Sequence, residues 1–125
     1  MSSLEIEHDG PVLRLTLSNP ERRNALTWQM YDALEGIEPL VADDPALRAV
    51  VLRGAGGGAG EGAGEGAFAA GTDIRQFAEF TTGAQGVEYE HRIGRVLESL
   101  LRIRVPVVAV VDGPAVGAGL ALAAC

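Results

Sequence analysis

The sequence predicts an α/β fold, and three observations carry that prediction. Two short stretches near the N-terminus alternate apolar and polar residues, the period of a strand covered on one face. Two longer stretches repeat apolar residues at intervals of three and four, as helices with one buried stripe do. Two β-branched runs, Ala49 to Leu52 and Val107 to Val111, have the composition of buried strands, and the second reads as covered on both faces. A chain of 125 residues is enough for one domain with a modest core.

Taken in order, Leu4 and Ile6 mark the first strand, and Leu13, Leu15 and Leu17 share one side of the second. His8-Asp9-Gly10-Pro11 is the turn between them, so the pair reads as a hairpin. Ser18-Asn19-Pro20 ends the second strand, and residues 21–26 form a polar connection. Thr27 caps a helix reaching to about Val41, with Met30, Leu34, Ile37 and Val41 on its buried face. Pro39 lies late in that helix and is expected to bend or end it. Asp43-Asp44-Pro45 restarts the chain, with a short helical turn expected, before the strand at 49–52.

Residues 54–66 are almost entirely Gly, Ala and Glu, a composition that cannot build a core and that predicts a flexible loop. Gly54-x-Gly56-x-x-Ala59 matches a dinucleotide-binding fingerprint, but no amphipathic helix follows it, so the context rejects that reading. Ile74, Phe77 and Phe80 predict a short helix, and residues 81–84 a loop. Tyr89, Ile93, Val96, Leu100 and Ile103 mark the clearest amphipathic helix. After the valine run, Asp112-Gly113-Pro114 turns the chain, and a last helix begins near Gly117 or Ala118. No capping residue or glycine stop closes that helix, from which we expect the sequence to be part of a longer chain. The late apolar strand and helix start lead us to expect an exposed apolar patch and poor solubility.

Composition narrows the chemistry. The formal charge is −7, which argues against a nucleic-acid binder. There is no lysine, so neither a Walker phosphate loop nor a Schiff-base lysine can be built. His8, His91 and Cys125 are the only residues of their types, which rules out a Cys/His zinc site and an intramolecular disulfide, and no metal site is expected. Cys125 reads as a small buried apolar residue and His91 as exposed. A single cysteine and no signal-like leader fit a cytoplasmic protein. No window has the length and composition of a membrane span, because the most apolar run is interrupted at Asp112, Gly113 and Pro114.

Two stretches carry the candidate chemistry. Phe68-Ala69-Ala70-Gly71-Thr72-Asp73-Ile74 combines small residues with a helix start that Thr72 or Asp73 can cap. Gly113-Pro114-Ala115-Val116-Gly117-Ala118-Gly119 repeats the logic after the valine strand. Two such turns brought together can hold one oxygen between two backbone N–H donors, the device acyl chemistry uses for a developing oxyanion.

These two stretches, with Asn24-Ala25-Leu26 after the hairpin, Ala49-Val50-Val51-Leu52-Arg53-Gly54, and Pro106 before the valine strand, resemble in order and spacing the N-terminal half of the enoyl-CoA hydratase/isomerase (crotonase) superfamily. The resemblance covers nearly the whole chain and is specific to the superfamily, not to one reaction. It implies a spiral of ββα units with a helical region beyond residue 125, and a homotrimer or a pair of trimers. It implies acyl-CoA thioester substrates, with coenzyme A part of the substrate and no separate cofactor, and a lyase or isomerase that adds water to an enoyl-CoA or moves its double bond. The matching oxyanion donors are the backbone N–H groups of Ala70 and Ala118. Family members commonly carry glycine at the second position, and alanine still supplies the N–H.

The resemblance also implies substrate-binding positions. Arg22, Arg23, Asn24 and Ala25 fall where the family lines the coenzyme A nucleotide and pantetheine. Arg22 or Arg23 then meets a phosphate, or both are solvated loop arginines; the residues alone leave the two readings level. Phe68 and the Ala70 backbone fall along the adenine and thioester groove, with Gly71, Thr72, Asp73, Ile74, Gly117 and Gly119 in the same turns. Asp73 reads first as the cap of the helix after Gly71. One departure matters. Where hydratases of this family place a glutamate that acts on water or the α-proton, this chain has Ala121, which cannot move a proton. Glu79, Glu88 and Glu90 are the remaining candidates for a base, weighed against an ordinary solvated helix face. The rival to an enzyme is therefore a non-catalytic CoA-thioester-binding protein or an inactive fragment.

Overall fold

The computed structural model describes residues 2–56 and 66–125, so most of the Gly/Ala/Glu loop expected at 54–66 lies outside the described residues, and so does Ala59 of the fingerprint match. Strand β1 (Ser3–Asp9) and strand β2 (Val12–Ser18) pair antiparallel from Ser3 opposite Ser18 to Asp9 opposite Val12. Gly10 turns the hairpin with φ of 57°, a left-handed angle that glycine adopts without strain. Strand β3 (Ala49–Gly54) joins β2 in parallel, and strand β4 (Val107–Val110) joins β3 in parallel, which gives one sheet in the order β1-β2-β3-β4. Gly54, expected in the loop, is the last residue of β3, opposite Leu17.

The expected first helix is two helices, α1 (Trp28–Glu35) and α2 (Ile37–Ala42). The Thr27 side chain accepts from the Met30 N–H and caps the first. Pro39 explains the break, although the break falls at Gly36. A proline has no N–H to give the carbonyl four residues back, and its ring crowds that carbonyl. Here that carbonyl belongs to Glu35, where α1 ends. Residues 43–46 form a non-helical turn, in place of the helical turn expected at 43–45. Arg104 sits against this corner and donates to the carbonyls of Val41, Leu47 and Asp44.

The long helix α3 (Gly83–Leu101) begins inside the stretch read as a loop. Thr82 and Gln85 form a reciprocal capping box, each side chain bonding the other's backbone, and this draws Gly83 and Ala84 into the first turn. Ile74–Glu79 is a short 3-10 helix, and the closing helix α4 runs Ala118–Ala124. The core lies where the periodicity puts it. Leu13, Leu15 and Leu17 from β2 meet Met30, Leu34, Ile37 and Val41 from α1 and α2, and Val96 and Leu100 from α3. Among the described residues, no helix is long and apolar enough to cross a membrane.

Strand β4 departs from its expected environment. Val107, Val108 and Val110 are exposed, and only Ala109 is half-buried. β4 is the edge of the described sheet, and one of its faces has no covering element there. A strand's apolar composition says which faces can be covered, not whether a neighbour exists to cover them. Val111, Val116 and Leu120 are exposed too. Cys125, expected to be buried, is exposed for the same reason, at the end of α4. His91 is exposed, as its place on the polar side of α3 requires.

Candidate functional site

The two turns meet. A parallel bridge joins Ala69 to Ala115. The Phe68 N–H donates to the Pro114 carbonyl at 2.9 Å, and the Val116 N–H to the Ala69 carbonyl at 3.0 Å. Small residues make the approach possible. A Cβ on Gly119 would fall 2.2 Å from the Ala69 oxygen, and one on Gly113 would fall 1.8 Å from the Gly66 oxygen, so neither position can carry a side chain without moving backbone.

Within this frame the amides of Ala70 and Ala118 are unspent: among the described residues, neither donates to a protein acceptor. The chain around Ala70 is held on both sides. Ala69 is bound to the second turn. Beyond Ala70, the Leu26 N–H donates to the Gly71 carbonyl at 2.7 Å and the Asp73 N–H to the Leu26 carbonyl at 2.8 Å. Gly71 has φ of 98°, and Gly117, just before Ala118, has φ of 57°, so each turn uses a glycine where the backbone bends.

Asp73 caps the 3-10 helix by accepting from the Arg75 N–H at 3.1 Å. The Arg75 guanidinium also forms a two-pronged pair with it, at 3.0 and 2.6 Å. That side-chain bond, ahead of the opposing effect of burial, lowers the Asp73 carboxyl to about 2. Asp73 is the buried carboxylate of the described residues, and at such a value it is a poor base near neutral pH. Glu79, Glu88 and Glu90 are all exposed, and Ala121 is half-buried in α4.

The remaining predicted positions fall in different surroundings. The Phe68 ring is fully buried in the core, so Phe68 can face a groove only through its backbone. Ala25 is buried and Ile74 three-quarters exposed, at 75%. Gly117 lies on the surface, while Gly71 and Gly119 are buried. Arg22 and Arg23 are exposed on the loop leading to Ala25.

That loop owes its shape to two asparagines, Asn19, read from the sequence only as the end of the second strand, and Asn24, read only as one of the positions lining coenzyme A. Asn24 is buried, and its side-chain oxygen accepts from the Asn19 N–H at 2.9 Å. Its amide nitrogen donates to Ala55 at 3.0 Å and to Ala67 at 2.7 Å, one on each side of residues 57–65. Asn19 in turn donates to the Ala25 carbonyl at 2.9 Å. Arg23 and Asn24 both adopt left-handed angles, φ of 54° and 60°, a conformation asparagine tolerates and arginine rarely takes. The available signal was that tolerance, together with two short amides flanking an otherwise charged loop.

An aromatic cluster borders the first turn. Trp28 from α1, Phe77 and Phe80 from the 3-10 segment, and Tyr89 from α3 stack and tilt against one another at centroid distances of 4.9 to 6.5 Å. Arg92 lies over the Trp28 ring at 5.3 Å, donates to the Trp28 carbonyl and pairs with Asp32. Trp28, Phe80, Tyr89 and Arg92, with Gln85 and Glu88, line a cavity of about 180 Å³. A second cavity of about 190 Å³ lies among Leu52, Leu100, Ile103 and Val105 and the α4 residues Leu122 and Ala123.

Residues 7–125 match the family described as enoyl-CoA hydratase/isomerase. An enoyl-CoA isomerase/hydratase of Mycosarcoma maydis is 32% identical over 120 residues, which is 90% of this chain and 40% of that protein. The crystal structure of an enoyl-CoA hydratase/carnithine racemase from Magnetospirillum magneticum superposes with a TM-score of 0.83 at 31% identity, over 98% of this chain and 44% of that one. An enoyl-CoA hydratase/isomerase from Marinobacter aquaeolei superposes with a TM-score of 0.78, also at 31% identity, over 95% of this chain and 44% of that one. The sequence thus spans about two fifths of the length of the proteins it matches.

Proposed function

Because the chain belongs to the enoyl-CoA hydratase/isomerase family, we propose that it acts on acyl-CoA thioesters and holds the thioester carbonyl oxygen between the N–H groups of Ala70 and Ala118. One observation carries the reading: two turns bonded to each other through Ala69, Ala115 and Val116, with the Ala70 and Ala118 amides left unspent among the described residues. A thioester carbonyl seated there gains negative charge whenever electrons move into it. In hydration, a water oxygen bonds the β-carbon as one of its O–H bonds breaks, the C=C electrons pass to the thioester oxygen, and the proton lost by the water is balanced by one delivered to the α-carbon. In a double-bond shift, an α-proton leaves and a proton returns at the γ-carbon through the same enolate. Either reaction draws on the two amides most strongly at the enolate, where one preorganised donor is worth about 3 kcal/mol. Arg22 or Arg23 would meet the phosphates of coenzyme A through charge-assisted bonds.

A second reading, binding of a CoA thioester without turnover, is favoured by Ala121 and by the pairing of Asp73 with Arg75, which leaves no buried carboxylate among the described residues suited to move a proton. Loss of enoyl absorbance from crotonyl-CoA separates the two. Turnover by the wild-type chain supports the enzyme, and binding without hydration or isomerisation leaves the second reading. In an active protein, Ala70→Pro removes one donor and is expected to lower kcat about a hundredfold while substrate affinity falls far less. Equal losses in both would remove the oxyanion role from Ala70.

A further inference from the structure

Thr72 stands two residues beyond Ala70, and its hydroxyl is shared between two phenols. Tyr31 Oη, from α1, lies 2.6 Å from Thr72 Oγ1, and Tyr89 Oη, from α3, lies 2.7 Å from the same atom. Tyr31 is fully buried, while Thr72 and Tyr89 are half-buried. Burial pushes the Tyr31 phenol far up, so it stays protonated and remains a donor. A buried donor left without an acceptor costs about 1–3 kcal/mol. Tyr31 meets Thr72 Oγ1 at 2.6 Å and also lies near the Tyr89 phenol, and the close contact assigns the Tyr31 proton to Thr72. Thr72 has a single proton, which then points to Tyr89. The order Tyr31 to Thr72 to Tyr89 satisfies the buried end and leaves the last proton on Tyr89, the member that lines the cavity beside Trp28 and Phe80.

From this geometry we infer that Tyr31, Thr72 and Tyr89 are positioning residues that fix the direction of the Ala70 N–H. The backbone needs such a lock. Gly71, between Ala70 and Thr72, has no side chain to restrain it and sits at φ of 98°. The Leu26 bridge holds the Gly71 carbonyl and the Asp73 N–H, but both are main-chain bonds to one loop. The relay adds two helices that approach Thr72 from α1 and α3. The aim of the Ala70 amide thereby depends on how α3 lies on α1, and α3 also carries the wall of the aromatic cavity. A ligand that moves Tyr89 moves the donor.

The inference rests on the oxyanion reading above, and the test keeps the two apart. The probe is a conjugated dienoyl-CoA, whose absorbance moves to longer wavelength when its carbonyl is polarised, titrated into the full chain. The wild type is expected to bind with a red shift. Thr72→Val, equal in shape but without the hydroxyl, should lose most of the shift when the ligand is saturating. Thr72→Ser should recover it, and Tyr89→Phe should lose part of it. A full red shift in Thr72→Val overturns the relay and leaves the oxyanion reading standing. Wild-type binding with no shift removes the oxyanion reading and the relay with it. If Thr72→Val does not fold, Tyr89→Phe decides, since it removes one half-buried hydroxyl and keeps the ring; an undiminished shift there overturns the inference.

Discussion

Leu13, Leu15 and Leu17 on β2 and Val107, Val108 and Val110 on β4 are equally apolar, and they end in opposite environments. The leucines are fully enclosed between the sheet and the α1–α3 layer. The valines stand at the edge of the described sheet, with Val108 half exposed, at 50%. The difference teaches that periodicity and composition report different things. On β2 the alternation leaves only one face to be covered, and the same stretch of chain supplies the helices that cover it. On β4 the unbroken apolar run asks for cover on both faces, and the described chain supplies it at Ala109 and little elsewhere. Val111, Val116 and Leu120, on either side of the turn that carries Ala118, are exposed as well.

The comparison can be broken at either end. Its largest expected effect is at Leu15, where Leu15→Ala removes a fully enclosed side chain and should cost about 3 kcal/mol in urea unfolding. A loss below about 1 kcal/mol would mean the β2 side is not the closed core described here. Next comes Asn24→Ala, which strands the Asn19 N–H and the Ala55 and Ala67 carbonyls and places alanine at a left-handed angle. It should cost about 2 kcal/mol and raise proteolysis at residues flanking 57–65. The smallest effect is expected from Val108→Thr, which should change stability by less than about 0.5 kcal/mol. It should also raise the concentration at which the protein begins to scatter light. A large loss of stability there would show that β4 is covered in solution.

Much of the fold was legible because the chain obeys its periods. The hairpin, the α1 face and the α3 stripe follow from apolar spacing alone, and Thr27 caps the helix it was expected to cap. What was not legible depends on polar side chains and on partners that the apolar spacing does not report. Pro39 acts four residues upstream, at the Glu35 carbonyl, so the break falls at Gly36. Thr82 starts α3 earlier than the apolar stripe does, because a capping box depends on polar side chains that the stripe ignores. The site divides the same way. The small-residue turns were readable, since only small residues allow the Ala69 and Ala115 backbones to touch. The bonds that Asn24 and the Tyr31–Thr72–Tyr89 relay make were not, since they span 31 and 43 residues in one case and 41 and 17 in the other.

The Ala69–Ala115 bridge has a consequence for how the protein is made. Closing a long loop is entropically costly, although the cost grows only with the logarithm of its length, and parallel pairings between distant residues slow folding. At about 5–20 residues per second of synthesis, the Ala70 turn leaves the ribosome a few seconds before Ala118 does. During that interval the hairpin and α1 can already pack, while Ala70 has no second turn against which to be set. The hydrogen-bonded pairing of the two turns therefore cannot form until the second turn has been synthesised, which makes it a late event in the life of the nascent chain.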